Sequence, residues 1–258
     1  MALYPLPLRE CNGYLKPLWL ALRMIQLLLV SKNVVGELNM AVQTENYTEA
    51  IEHLPADSTL VVSDVPWEEY EELLDDVGEA KGLRISYDSG RLQIMTLSTT
   101  HENYQYLISG IVSLLSLRLR IKVLCFGSAT MKKKPRGVEP DLSFYVQTAA
   151  LIGSRSDLDF SVDPPPDIVV EVDLQHQSLS KFPIYASFGV PEIWRYDGKS
   201  MTIYHLEHGE YSTADSSRAL PMLSASILTE FLTRAKREDQ YETLLAFEQW
   251  LSLQNRER

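Results

Sequence analysis

The run Asp167 to Asp173, DIVVEVD, constrains this chain more than any other segment. It is an apolar run of the kind expected of a strand buried on both faces. One residue breaks the pattern. Glu171 sits among Ile168, Val169, Val170 and Val172, and burying a carboxylate there without a partner is costly, because desolvation penalises its charged form. A cation beside it resolves that cost.

Periodicity on either side of the run predicts a mixture of helices and strands, an α/β chain built on an α+β mixed sheet. Trp67, Tyr70, Leu73, Leu74 and Val77 repeat at helical spacing, with Ser63 or Asp64 as cap, Pro66 near the first turn and an end near Gly78. Leu83 to Tyr87 and Leu92 to Leu97 alternate in polarity about Asp88-Ser89-Gly90, which predicts a hairpin. A helix follows from His101 to about Leu119, packed by Tyr104, Leu107, Ile108, Ile111, Leu114 and Leu115, with Glu102 in its first turn. Strands are expected at Ile121 to Phe126, Ser128 to Lys133 and Leu142 to Val146. A polar insertion between Gln147 and Asp163 and the stiff Pro164-Pro165-Pro166 then lead to the Asp167 run. Leu179 to Phe188 reads as a short helix, with Ser178 or Ser180 as cap, Pro183 in the first turn and Gly189 as terminator. Glu192 to Tyr196, Met201 to Leu206 and Glu210 to Thr213 make a meander. Ile227, Phe231 and Leu232, then Tyr241, Leu244, Leu245, Phe247, Trp250 and Leu251, mark two C-terminal helices.

A chain of 258 residues, 45% of them hydrophobic, can bury one substantial core, so one catalytic domain with small appendages is expected. The divisions are an N-terminal extension over 1–39, a polar leader over 40–62, the domain itself over 63–222, and C-terminal helices over 223–258 packed on it. Leu15 to Val30 is apolar, but Lys16 and Arg23 interrupt it before membrane-spanning length, and no clean signal-peptide cleavage site follows. Met40 is the preferred start, since MAVQTENYTEA reads as a polar leader into a domain. Cys11 and Cys125 lie far apart, and Cys125 falls in an apolar run where a buried thiol is usual. A reducing cytoplasm fits best. The formal net charge of -11 argues against a protein that coats nucleic acid by bulk electrostatics, so any such contact is local.

Carboxylates to hold a metal ion and a lysine to place the attacking water are what a metal-dependent phosphodiesterase requires. The acids hold a Mg²⁺ ion, which lowers the pKa of a bound water and neutralises charge growing on the phosphate, and the lysine places that water. Asp141 follows Pro140 at the mouth of one strand, Glu171 lies inside another, and Lys181 opens the helix that leaves it.

Two stretches, Gly137 to Val146 (GVEPDLSFYV) and Pro164 to Asp197 (PPPDIVVEVDLQHQSLSKFPIYASFGVPEIWRYD), closely resemble the large bacterial Uma family of restriction-endonuclease-like proteins. The resemblance runs from about Trp67 to Trp250. Its most specific parts are GVEPD, the EV dipeptide and the K-x-x-x-Y-x-x-x-G-V-P-E-x-W string. It implies a restriction-endonuclease-like PD-(D/E)XK core, here with hairpin extensions and C-terminal helices. It also implies a Mg²⁺- or Mn²⁺-dependent endonuclease acting on DNA, with Asp141, Glu171 and Lys181 as the catalytic group and Glu102, Asp141 and Glu171 as metal ligands. On this match Lys181 orients the water. Lys181 and Tyr185 are four apart on a helix and share a face, so the tyrosine either lines the site or packs the core.

One position departs from the superfamily pattern. Two residues after the glutamate, where lysine usually stands, is Asp173, on the same side of the strand as Glu171, so Lys181 must do the lysine's work and Asp173 is a candidate third acid. Lys132-Lys133-Lys134-Pro135-Arg136 is the one dense basic run, and it leads into the Asp141 strand, so Lys132, Lys133, Lys134 and Arg136 either hold a phosphate backbone or form a solvated loop. His101 could contact a phosphate, although a helix-start histidine is more often surface or capping. His205 and His208 flank a turn without a third ligand for zinc, and His176 has no evident partner. Two rival readings stand beside the nuclease: a catalytically inactive nuclease-fold binding module, which the acidic balance and Asp173 motivate, and a glycoside hydrolase using Asp141 and Glu171 as acid and base. Exposed edge strands leave a homodimer open.

Overall fold

The structure, a computed structural model, describes residues 45–78, 82–155, 157–175 and 178–254. The readings made of residues 1–39, Met40, Cys11 and His176 lie outside the described residues. The segment read as a polar leader is not loose polypeptide over its described part. Helix α1 (Glu45–Glu52) and strand β1 (Thr59–Val62) occupy it, with Tyr47 buried. Tyr47 and Val62, with Ile51 and Leu60 packed beside them, join this stretch to the core that follows.

Helix α2 (Trp67–Val77) starts at Pro66, with no side chain capping it, so neither Ser63 nor Asp64 serves as expected. Pro66 itself stands at the N-cap position, with φ of -62° and an extended ψ of 152°, and has no side-chain acceptor to offer the first turn. Strands β2 (Leu83–Asp88) and β3 (Arg91–Thr96) form the expected hairpin. Ser89 and Gly90 both have positive φ, 51° and 99°, the turn geometry that matches strand twist. Helix α3 (Thr99–Leu119) is capped by the Ser98 hydroxyl, which accepts from His101 N.

The segment after α3 is less regular than its apolar content suggests. Strand β4 is only Leu124–Cys125, at a sheet edge, and Cys125 is exposed rather than buried. Leu124 and Phe126 take the inward positions against Tyr145, and alternation turns Cys125 away. Strands β5 (Met131–Lys133) and β6 (Arg136–Val138) pair across Lys134-Pro135, so the basic run is a hairpin and not a loop into the next strand. Strand β7 (Leu142–Tyr145), a short helix α4 (Ala149–Ile152) and strand β8 (Ile168–Val172) follow. A 3₁₀ turn (Ser178–Lys181) enters helix α5 (Phe182–Phe188), which has Lys181 at its N-cap position and no side-chain cap, in place of the expected serine. Strands β9 (Glu192–Tyr196), β10 (Met201–Glu207) and β11 (Glu210–Ala214) and helices α6 (Ala225–Arg234) and α7 (Gln240–Gln254) complete the chain.

The strands form two sheets, a mixed α+β arrangement. The order β1-β3-β2-β6-β5 is antiparallel throughout, and β11-β10-β9-β8-β7-β4 is antiparallel except for the parallel pair β8 and β9. Helix α5 is the crossover that a parallel pair requires. Strand β8 is buried on both faces, as its composition demands. Ile168, Val170 and Val172 pack with Leu107, Ile111 and Leu115 of α3 and with Phe231 and Phe247 of α6 and α7. Val169 faces Ile184 and Tyr185 of α5, together with Met131 and Val138 of the smaller sheet. Glu171 shares the face of Val169 by alternation, which carries it toward α5 and away from the large core. The smaller sheet puts Ile85, Tyr87, Leu92 and Ile94 against Trp67, Tyr70 and Leu73 of α2. Its opposite face carries Arg84, Ser86 and Gln93, all buried. Among the described residues no helix is long and apolar enough to cross a membrane.

Candidate active site

Asp141 enters from the turn between β6 and β7, and its backbone N–H donates to Val170 O at 3.1 Å, which fixes it beside β8. Its carboxylate is 3% exposed and accepts three N–H groups. Arg84 Nε donates to Oδ1 at 3.2 Å, Val172 N donates to Oδ2 at 2.7 Å, and His101 Nε2 lies 2.9 Å from Oδ2. Burial works against the charged form, but the His101 hydrogen bond and the charges of His101, Lys181 and Arg84 outweigh it and hold the carboxyl below its ordinary value.

Glu171 lies across the strand, 1% exposed. Lys181 Nζ donates to Oε2 at 2.8 Å, and the Tyr185 hydroxyl donates to Oε1. Tyr185 therefore lines the site and packs the core at once. Burial, partly offset by Lys181 and reinforced by the charges of Asp141 and Asp173, pushes the Glu171 carboxyl up to about 7. Lys181 is itself buried, which opposes its charge, yet Glu171, Asp141 and Asp173 together raise its pKa. Its ammonium also lies 3.4 Å from Glu139 O. The 3₁₀ turn and α5 deliver Lys181 from the chain that leaves β8, so the lysine reaches the glutamate from a neighbouring element.

The remaining sequence candidates divide. Asp173 accepts from Arg195 Nε of β9 and is part of an ion pair. Glu102 is exposed and lies on the wall of a cleft that Arg84 and Glu139 also line. One residue on a helix turns the side chain by a wide angle, so His101, in phase with Ile108 and Leu115, points inward to Asp141 while Glu102 points out. His101 is thus 3% exposed and not the surface or capping residue expected. Its place on the apolar stripe was the available signal. Lys132 pairs with Glu71, Lys134 with Glu68, and Arg136 with Asp88, at 3.2, 2.7 and 2.9 Å, so much of the basic run is answered by acids of α2 and β2. Lys133 is exposed on β5. His205 is buried with Nε2 3.7 Å from Glu192, and His208 occupies the β10–β11 turn at φ 53°.

Two residues escaped notice in the sequence. Arg84 reaches Asp141 from the other sheet, 57 positions away. Glu139, the acid of the GVEPD string, accepts from Ile85 N and the Thr130 hydroxyl at 2.8 Å each, tying β2 and the approach to β5 to the Asp141 turn.

Over residues 67–235 the sequence matches the Uma2 family, described as "Putative restriction endonuclease". The chain belongs to the Uma2 family. A crystal structure described as "a putative nuclease belonging to DUF820 from Anabaena variabilis ATCC 29413" is similar to it at a TM-score of 0.49 and 16% identity, over 65% of this chain and 99% of that one. No curated protein matches.

In this Uma2 chain the acids that would hold a metal are tested by what surrounds them. Asp141 and Glu171 are hard oxygen donors, and their charges act on one buried ammonium, Lys181. Among the described residues no three His, Cys, Asp or Glu side chains converge as a ligand group, and Glu102 does not join the two buried acids in one. The donor chemistry fits a hard divalent cation held by Asp141 and Glu171, in competition with the contacts now made by Arg84, His101, Lys181 and Tyr185.

Proposed function

We propose that the protein is a Mg²⁺- or Mn²⁺-dependent endonuclease that hydrolyses phosphodiester bonds in DNA. The observation that carries the reading is the buried group Asp141, Glu171 and Lys181 beside an open cleft, in a chain of the Uma2 family. Asp141 and Glu171 would hold the ion. When bound, a divalent cation supplies Lewis-acid charge at the phosphate and a water of lowered pKa. Lys181, whose ammonium rests on Glu171 Oε2, orients the attacking water and carries positive charge toward the phosphate. Tyr185 holds the second Glu171 oxygen and so keeps the carboxylate in one rotamer. Arg84, His101 and Val172 N do the same for Asp141. DNA follows from the family description and not from the site, because the phosphate is common to both nucleic acids.

The decisive experiment incubates purified protein with plasmid and Mg²⁺ or Mn²⁺, beside Asp141→Ala, Glu171→Ala and Lys181→Ala. Nicking that a chelator and each substitution abolish is the expected result. Cleavage that survives chelation or any of the three refutes the assignment.

A second reading, an inactive nuclease-fold binding module, is favoured by one observation. Each buried acid of the site already has a protein cation beside it: Arg84, Lys181 or Arg195. Absence of both cleavage and Mn²⁺ binding by calorimetry selects it.

A further inference from the structure

Asp141, Glu171 and Lys181 are buried, and Arg84 and Glu139, which contact Asp141 and Lys181, also face a cleft that the motif leaves unassigned. That cleft, of about 490 Å³, is lined by Arg84, Glu102, Phe126, Ser128, Thr130 and Glu139 among others. A cavity of this order holds a small organic ligand. Among the described lining residues Arg84 is the one cation.

Arg84 is more than a brace for Asp141. A guanidinium carries five N–H groups, and here Nε goes to Asp141 and Nη1 to Leu83 O at 2.7 Å, which leaves donor capacity on a side chain that lines the cleft. Asp141 accepts from it through one contact at 3.2 Å and keeps His101 and Val172 N if the arginine turns. The other charges facing the cleft restrict where an anion can lie. Glu139 has both oxygens engaged by Ile85 N and Thr130, and Glu102 is exposed, so Arg84 is the group on the cleft that attracts an anion. Phe126 supplies an aromatic surface on the same cleft, its ring fixed edge-on to Tyr145 with centroids 5.4 Å apart. A cation and an aromatic ring lining one cleft are the groups that take a phosphate and its base from a single strand.

We propose that this cleft is a nucleotide subsite, in which Arg84 takes a phosphate oxygen of a single nucleic-acid strand and Phe126 stacks the adjoining base. The inference rests on the nuclease reading for the class of ligand, and its test does not depend on cleavage. The full chain is titrated, in chelator, with a short fluorescent single-stranded oligodeoxynucleotide and with the matching blunt duplex, following anisotropy. Arg84→Gln and Phe126→Leu are each expected to weaken strand binding about tenfold, the worth of one charge-assisted hydrogen bond or one stacked base. Arg84→Lys, which keeps the charge, should recover part of the loss. Phe126→Leu does not touch Asp141, so its melting curve separates binding from folding.

Wild-type binding to both folded variants overturns the subsite, as does a wild-type protein that ignores the single strand or prefers the duplex. Strand binding that depends on Arg84 and Phe126 in a protein that never cleaves plasmid upholds the subsite and removes the nuclease. Asp141-dependent cleavage with strand affinity unchanged in both variants does the reverse.

Discussion

Lys181→Met keeps most of the length of the side chain and deletes its charge, leaving Glu171, 1% exposed, with the Tyr185 hydroxyl as its remaining side-chain partner. Breaking a buried pair from one side costs about 3–5 kcal/mol, because an uncompensated charge stays in a medium that cannot solvate it. Protonation of Glu171 limits that cost. Burial, with Asp141 and Asp173 nearby, already pushes its carboxyl to about 7 while Lys181 is present, and removing the ammonium drives it higher. A folded-state value raised above the ordinary glutamate value means that the penalty is absent below the unfolded pKa and grows as pH rises through the folded one, at about 1.4 kcal/mol per pH unit. The wild type already carries that penalty up to its own pKa of about 7, so only the interval from pH 7 to 8 separates the two proteins; the variant is expected to lose about 4 kcal/mol at pH 8 and about 1.4 kcal/mol less than that near pH 4.5. Glu171→Gln combined with Lys181→Met removes both charges, and a neutral pair of similar volume should restore most of the loss at pH 8. Urea unfolding of the two single variants and the double at both pH values gives the cycle. A Lys181→Met protein within about 1 kcal/mol of wild type at pH 8 refutes the reasoning, and so does a double variant no more stable than that single one.

Three further outcomes are expected. A Cβ at Gly137 would lie 2.0 Å from the hydroxyl oxygen of the fully buried Tyr70, so Gly137→Ala should lower stability by about 1–3 kcal/mol or more, read as a fall in melting temperature. Replacing Lys132 and Lys134 by alanine should leave the melting temperature close to that of the wild type, since both pair with acids at the surface, and a marked fall in thermal unfolding would contradict the weak-pair argument. His101→Ala leaves Asp141 Oδ2 with Val172 N alone and should cost about 1–3 kcal/mol; in the plasmid assay it should slow nicking well below the wild-type rate, and unchanged nicking would remove His101 from the site.

Much of the fold was legible because its cause is local. DIVVEVD could only be a strand covered on both sides, Asp88-Ser89-Gly90 could only turn a hairpin, and the stripe Tyr104, Leu107, Ile108, Ile111, Leu115 could only be a helix packed by one face. Periodicity and turn chemistry act over a few residues, so sequence reports them. The lone Glu171 likewise announced a buried cation, and Lys181 is that cation. The sequence was less informative where an element is held by partners distant in the chain. Strand β6 is three residues long and exists because β2 and β5 flank it. Cys125 is exposed because β4 is a two-residue edge.

The candidate site divides along the same line. Local pattern determined that Glu171 would be buried, that it needs a positive partner, and that Lys181 and Tyr185 would share a face. Tertiary structure decided who pairs with whom. Arg84 comes to Asp141 from the other sheet, Arg195 answers Asp173 across the parallel β8–β9 pair, and the acids of α2 and β2 meet the basic hairpin. Those pairings join residues far apart in sequence, and electrostatic attraction acts through space without regard to chain position. A linear sequence can show that a buried charge must be answered, but only the packed fold selects the residue that answers it.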